Sequence, residues 1–268
     1  LVSSAIESLA RRLLEAERAC SPIDPLTDEH PDLTLQEAYR IQEAALEERG
    51  EPRIGYKLGF TSEVMRRQMD ISGPNRGVLT SSMQVDADAG PIPLQGLIHP
   101  RVEPEVALLI ERDLVGPGLG RAEVYLAVRW AFAALEIVDS RFRDYRFRLE
   151  DNTADNSSAA RFVLGGPVHL ASVPDLRLVG VLLWRDGRVV DGGIGANAMG
   201  DPLSAVVWLA NSLGEAGGVL EEGSIVLTGG LTRAHPVGAG GTFVVESGGL
   251  GTVKTHFVDG GEGEDADR

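Results

Sequence analysis

The sequence predicts an α+β fold, with N-terminal helices followed by a mixed, β-rich core. Two observations lead there. Apolar residues recur at helical spacing up to about residue 50, and beyond Gly55 they regroup into short runs separated by Gly- and Pro-containing turns. Only two later stretches, around 121–133 and 202–216, return to a helical pattern.

The first helix is read from AIESLARRLLEAERA, which puts Ile6, Leu9, Leu13 and Leu14 on one face. SPIDPLTDEHPD is a Pro- and Asp-rich connector. LTLQEAYRIQEAALEER carries Leu35, Ala38, Ile41 and Ala45 at the same spacing. Thr34 is placed to cap that helix, Gly50 to end it, and Pro52 to stop it resuming. The runs YKLGF, VEPEVALLI, FAALEIVDS, RFVLGG, VGVLLW, SIVLTGG, GTFVVES and GTVKTHF then read as strands of a sandwich or a barrel-like core. PLSAVVWLANSLGEA reads as a helix with Pro202 in its first turn and Asp201 as its cap. The expected organisation is a helical region over 1–52, a β-rich catalytic core over 53–259 and an acidic, disordered tail over 260–268.

Composition narrows the function. A net charge of -15 excludes nucleic acid and anionic lipid as expected partners, because both need clustered Lys and Arg. A single cysteine, Cys20, excludes an intrachain disulfide and a thiolate metal cluster. The most apolar long segment, VYLAVRWAFAALEIV, is interrupted by Arg129 and Glu136, so no membrane span is expected. With no signal-like opening, a cytoplasmic protein is expected.

The chemistry gathers in HPRVEPE, residues 99–105. In a strand, Glu103 and Glu105 share a face, and two neighbouring carboxylates repel unless a cation or a shared proton relieves them. Pro104 places the segment at an edge, a bulge or a strand entrance. Glu136 lies inside the apolar run AALEIVDSR, where it needs either a basic partner or a place beside Glu103 and Glu105 as a third oxygen ligand of Mg²⁺ or Mn²⁺. Lys57, in GYKLGFTS, is a candidate proton donor or substrate clamp, against the commoner reading of a surface lysine. Asp155 and Asn156, in the polar loop before a strand, could hold metal-bound waters or fix the loop. LTGGLT, which ends on Thr232, offers two glycines for close backbone approach to a ligand.

As a set, KLGFTS, HPRVEPE, ALEIVDSR, ADNSSA and LTGGLT resemble, in order and spacing, the motifs of the 2-oxo-acid hydratase/decarboxylase family of aromatic meta-cleavage pathways. That family belongs to the fumarylacetoacetate hydrolase superfamily. The resemblance runs from about residue 30 to 258 and implies a mixed β-roll core preceded by helices, a Mg²⁺ or Mn²⁺ ion and an oligomer. It places the metal ligands on Glu103, Glu105 and Glu136 and the active-site lysine on Lys57; Arg76, Asp155, Asn156 and Thr232 are the candidate substrate contacts offered by the residues themselves.

Two activities follow from it. One is decarboxylation of 2-oxo-3-hexenedioate (4-oxalocrotonate) through a dienolate held on the metal; the other is hydration of 2-hydroxypenta-2,4-dienoate (2-keto-4-pentenoate). Hydratases commonly have an acid in a P-D-F-G-like stretch where this chain reads GPNRGVL, with Asn75 and Arg76. That favours a decarboxylase, with Arg76 meeting a second substrate carboxylate. Other readings are a non-catalytic partner subunit of a hydratase/decarboxylase complex, and a C–C hydrolase using a His–Glu pair at His30 or His99.

Overall fold

The computed structural model describes residues 1–63, 66–67 and 71–260, so the acidic tail beyond Gly260 lies outside the described residues. The chain begins with helices α1 (Ser3–Arg18), α2 (Leu26–Glu29) and α3 (Leu35–Arg49). Thr34 caps α3 as expected: Glu37 N donates to Thr34 Oγ1 and Thr34 N donates back to the Glu37 carboxylate at 2.9 Å. Gly50 closes the helix in the left-handed conformation, φ 67°. Ile6, Leu9, Leu13 and Ile41 form a small core with Leu26 and Phe142.

Fourteen strands follow among the described residues. They are β1 (Arg53–Gly59), β2 (Asn75–Thr80), β3 (Gln84–Val85), β4 (Ile92–Pro93), β5 (Arg101–Ile110), β6 (Val128–Val138), β7 (Ala159–Leu164), β8 (Val168–His169), β9 (Gly180–Arg185), β10 (Arg188–Ile194), β11 (Ile225–Leu227), β12 (His235–Pro236), β13 (Thr242–Ser247) and β14 (Gly251–Val258). The larger sheet runs β2-β1-β11-β5-β6-β7-β3, with β12 also on β5 and β8 on β6; the smaller runs β10-β9-β13-β14-β4. Val106, Leu108, Leu135 and Ile137 of the larger sheet share one core with Leu183, Phe243, Val245 and Phe257 of the smaller. Together they make the curled, mixed β core that the resemblance implies. Helices α4 (Arg121–Ala127), α5 (Leu149–Ala154) and α6 (Pro202–Glu215) complete the described chain, and Asp201 caps α6 through Leu203 N. No described helix is long and apolar enough to cross a membrane.

One expectation is corrected and another is narrowed. The helix expected over 121–133 stops at Ala127, and from Val128 the chain is β6, paired with β5 on one side and with β7 and β8 on the other. A mainly apolar run carries too little periodicity to separate a helix from a strand paired on both sides, and the ladders decide. Pro104 lies within β5, opposite Leu135, so of the three places open to it from sequence the strand entrance is excluded and a local edge is found. The proline is tolerated because β5 has no strand partner there on its other side: β11 pairs with Ala107–Leu109, β12 with Arg101 and Val102, and the chain between them loops out. Pro104 O accepts from Leu231 N of that loop. The missing N–H points the same way, so no ladder bond is lost.

Phe142, fully buried, joins the helical core to the chain leaving β6. Phe142→Ala is expected to cost about 3–5 kcal/mol. Hydrogen exchange should report faster opening of α1 and α3 than of β5 and β6.

A carboxylate cradle as candidate metal centre

The register of the larger sheet builds the site. Glu103 and Glu105 are two residues apart on β5, so they share a face, and Glu136 of β6 stands directly opposite Glu103. One oxygen from each lies within 4.8 Å of the others. Glu105 and Glu136 are fully buried, and Glu103 borders the pocket. Lys57 of β1 is 3% exposed; its Nζ pairs with Glu136 Oε2 at 3.2 Å and donates to the Ser157 carbonyl at 2.9 Å. The basic partner of Glu136 is therefore Lys57, not one of the arginines near it in sequence.

The loop that replaces a strand opposite Pro104 carries LTGGLT. Gly229 N donates to Glu105 Oε2 at 2.7 Å, and a Cβ on Gly230 would sit 2.9 Å from Glu103 Oε2. A side chain at Gly230 would therefore displace the Glu103 carboxylate.

Three carboxylates and one ammonium leave two negative charges in a buried cluster when all are ionised. Burial and the neighbouring charge of Glu136 push Glu103 up to about 7, with Lys57 opposing. Glu105 is pushed well above the ordinary carboxylate range by burial and then by Glu136, and burial raises Glu136 against the pull of Lys57. Burial draws Lys57 down, but the three glutamates together outweigh it, so its ammonium is held charged. Glu105 Oε1 and Glu136 Oε1 are buried without a hydrogen-bond partner. Unpaired, mutually repelling oxygen donors are what a hard divalent cation relieves, and the cluster fits one.

The cradle opens into a cavity of about 500 Å³, lined among others by Phe60, Thr61, Arg101, Asp144, Tyr145, Asn152, Ser157, Thr232 and Arg233. Of the expected substrate contacts, Thr232 is in this lining. The other three are not, and each is corrected by its partners. Arg76 stands opposite Leu58, one residue out of phase with Lys57, so its side chain leaves by the other face; it lies over the Tyr39 ring and donates to Ser212. Asp155 is buried against Arg141, which also donates to the Asp155 carbonyl and to Asp139 O. Asn156 accepts from Val78 N and donates to Val78 O, in the manner of a strand partner. Asp155 and Asn156 thus fix the loop, one of the two roles open to them from sequence.

That loop matters to the site. Asn156, Ser157 and Ser158 are three successive non-glycine residues with φ of 51°, 53° and 56°. This turn aims the Ser157 carbonyl at Lys57 and its hydroxyl at Asn75 Oδ1. Asn75, opposite Gly59 and in phase with Lys57, is fully buried, and its amide donates to Asn152 and Thr153. His30 and His99 are absent from the described lining; His99 packs on Tyr145 instead. Arg101, Tyr145 and Ser157 were not singled out from sequence. Arg101 alone carried a signal, being in phase with Glu103 and Glu105.

A curled β core with a carboxylate cradle able to take a divalent cation and a neighbouring lysine has the make-up of an enzyme site. A profile of the fumarylacetoacetate (FAA) hydrolase C-terminal family matches residues 64–258, and the chain belongs to that family. A 2-keto-4-pentenoate hydratase of Burkholderia vietnamiensis is 41% identical over 96% of this chain and 98% of its own. A 4-oxalocrotonate decarboxylase of Pseudomonas putida is 37% identical over 94% and 96%. The solved 4-oxalocrotonate decarboxylase from Pseudomonas putida G7, complexed with magnesium and adipate, superposes with a TM-score of 0.92 at 35% identity, covering 96% of this chain and 99% of that one.

The raised carboxylates set a pH dependence. A carboxyl whose folded value lies above its ordinary one stabilises the metal-free fold below that ordinary value and loses this as pH rises through the folded value, here about 7 for Glu103. Metal-free protein should therefore melt a few degrees higher at pH 6 than at pH 8. Added Mg²⁺ should stabilise more at pH 8, where protons no longer compete. Thermal melts at both pH values, with Mg²⁺ or EDTA, check both halves.

Proposed function

We propose that this protein decarboxylates 2-oxo-3-hexenedioate or a close analogue, with Glu103, Glu105 and Glu136 holding Mg²⁺ or Mn²⁺. The observation that carries the choice is Asn75. It occupies the buried position in phase with Lys57 and holds an amide whose donors and acceptor are engaged by Asn152, Thr153 and Ser157. Asn75 is outside the cavity lining but holds Asn152 and Ser157, which are in it, and an amide there neither takes a proton from water nor returns one, so the position suits a reaction that needs no activated water.

A divalent cation in the cradle supplies Lewis acidity, stabilising negative charge that develops on a 2-oxo acid. The protein's own groups do the rest. Lys57 spends one N–H on the Ser157 carbonyl and faces Glu136 with its charge, which leaves a donor for the substrate in the cavity. Its ammonium can hold a hydrogen bond to the oxygen that gains charge as CO₂ leaves, and can deliver a proton to the product. Phe60 and Tyr145 give the cavity apolar walls. Thr232, at the rim, keeps its place as a proposed substrate contact.

Hydration of 2-hydroxypenta-2,4-dienoate is the second reading, and Asp144 favours it. This exposed carboxylate borders the same cavity and has the chemistry to handle water. A partner subunit without activity is disfavoured, because Lys57 and the three glutamates are all present and assembled. On the resemblance, we place the chain in a homo-oligomer able to associate with a hydratase of the family.

A product assay on the purified protein, with Mg²⁺ and an EDTA control, should give metal-dependent CO₂ release from 2-oxo-3-hexenedioate and no water addition to 2-hydroxypenta-2,4-dienoate. Hydration alone reverses the choice. Asn75→Asp should cut decarboxylation at least tenfold, because it buries a carboxylate where an amide was satisfied. It should also admit measurable hydration; if neither rate moves, position 75 does not separate the two chemistries.

A further inference from the structure

The cavity is bordered by three cationic side chains, and two are committed to carboxylates. Lys57 pairs with Glu136, and Arg233 lies 3.4 Å from Asp191. Arg101 has no carboxylate ion-pair partner among the described residues. Its guanidinium instead rests on the Tyr145 ring, 3.8 Å from the ring centre. That ring is itself fixed: the Tyr145 hydroxyl donates to Val138 O at 3.1 Å and to His99 O at 3.2 Å, and the ring packs on His99 at 4.7 Å between centres. A planar fork of donors is thus held at the cavity wall, its charge felt by Glu103 but not bound in an ion pair.

Its place on β5 says what it is ready for. Arg101, Glu103 and Glu105 share one face, and each two-residue step along a strand is about 6.6–6.8 Å. An extended six-carbon diacid separates its carboxyl carbons by roughly 6 Å, from five bonds of about 1.5 Å in zigzag. A diacid with one end at the cradle therefore brings its other end to the neighbourhood of Arg101.

We propose that Arg101 is the specificity residue that recognises the distal carboxylate of a dicarboxylate substrate whose oxo-acid end lies at the glutamate cradle. The proposal rests on the decarboxylase reading for the substrate's second charge, and it moves to Arg101 the role expected from sequence at Arg76. A bidentate pair with a carboxylate rewards the diacid, whereas a monoacid of equal length leaves the guanidinium unanswered.

The test is equilibrium binding, by calorimetry, of adipate and of hexanoate to the full-length, Mg²⁺-loaded protein. Wild type is expected to prefer adipate by about tenfold or more. Arg101→Gln should bring the two ligands to equal affinity by weakening adipate alone, and Arg101→Lys should restore part of the preference. Thermal melts with bound Mg²⁺ verify that each variant is folded. A preference that survives Arg101→Gln overturns the proposal, as does an equal weakening of both ligands, which marks a general field effect on the cradle. A preference lost in Arg233→Gln but kept in Arg101→Gln also overturns it. CO₂ release from 2-oxo-3-hexenedioate is scored separately in the same wild-type preparation. Its absence removes the decarboxylase reading, while the adipate-to-hexanoate ratio still decides the role of Arg101.

Discussion

Three carboxylates around one buried ammonium, two of them fully buried and the third at the pocket's edge, are the constraint on which the rest of this structure turns. In isolation each would neutralise itself or be driven to the surface, because burying an unpaired charge is prohibitive. Here Glu105 and Glu136 are fully buried and Lys57 nearly so. The surroundings are rigid enough to hold them: β5 and β6 pair in register across almost their whole length, and that pairing sets Glu103 against Glu136. Repulsion held in place by a β ladder is relieved by a proton or by a cation, so the register that gathers these groups also favours cation binding once the protons leave.

Around the cradle, backbone irregularity falls where donors must be aimed. A loop takes the place of a strand beside Pro104 and brings Gly229 N to Glu105. Three left-handed residues turn the Ser157 carbonyl to Lys57. Non-glycine residues in that region cost of order 1 kcal/mol or more each, and such turns persist only where their surroundings over-determine them. Here the surroundings are the buried Arg141–Asp155 pair and the grip of Asn156 on β2. The two residues expected to touch ligand therefore act one layer further out, as the frame of a turn that positions Lys57.

How much of this was legible in the sequence depended on whether the signal was local. Thr34, Gly50, Asp201 and Pro202 mark helix ends through chemistry with their own neighbours, and each is found in that role. VRWAFAALEIV was misread in part as helix because its state is set by strands on both sides, which the sequence places far away. The cradle was legible because strand parity brings Glu103 and Glu105 to one face and the apolar setting of Glu136 demanded a partner. Arg76 was misassigned through the same parity: Asn75 is in phase with Lys57, and Arg76 is not. The pairing of β2 with β1 sets that phase, and nothing within GPNRGVL reveals it.

The charge pattern along β5 ties recognition to chemistry. From the interior outward, one face presents Glu105, then Glu103, then Arg101, so the electrostatic character reverses within a single strand. At the inner end the acidic groups demand a cation, and once it is bound they become a site for an anion. At the outer end, a cation propped on Tyr145 already seeks one. A molecule with two carboxylates satisfies both ends, and a molecule with one leaves the outer end unanswered. The choice between the two chemistries then rests on two separable features. On the proposed reading, Arg101 bears on which acid is held, and Asn75, which is outside the cavity lining, bears on water only through Asn152 and Ser157, which it holds. On that reading, Arg101 together with an amide at position 75 suits losing CO₂ from a diacid rather than adding water to its product.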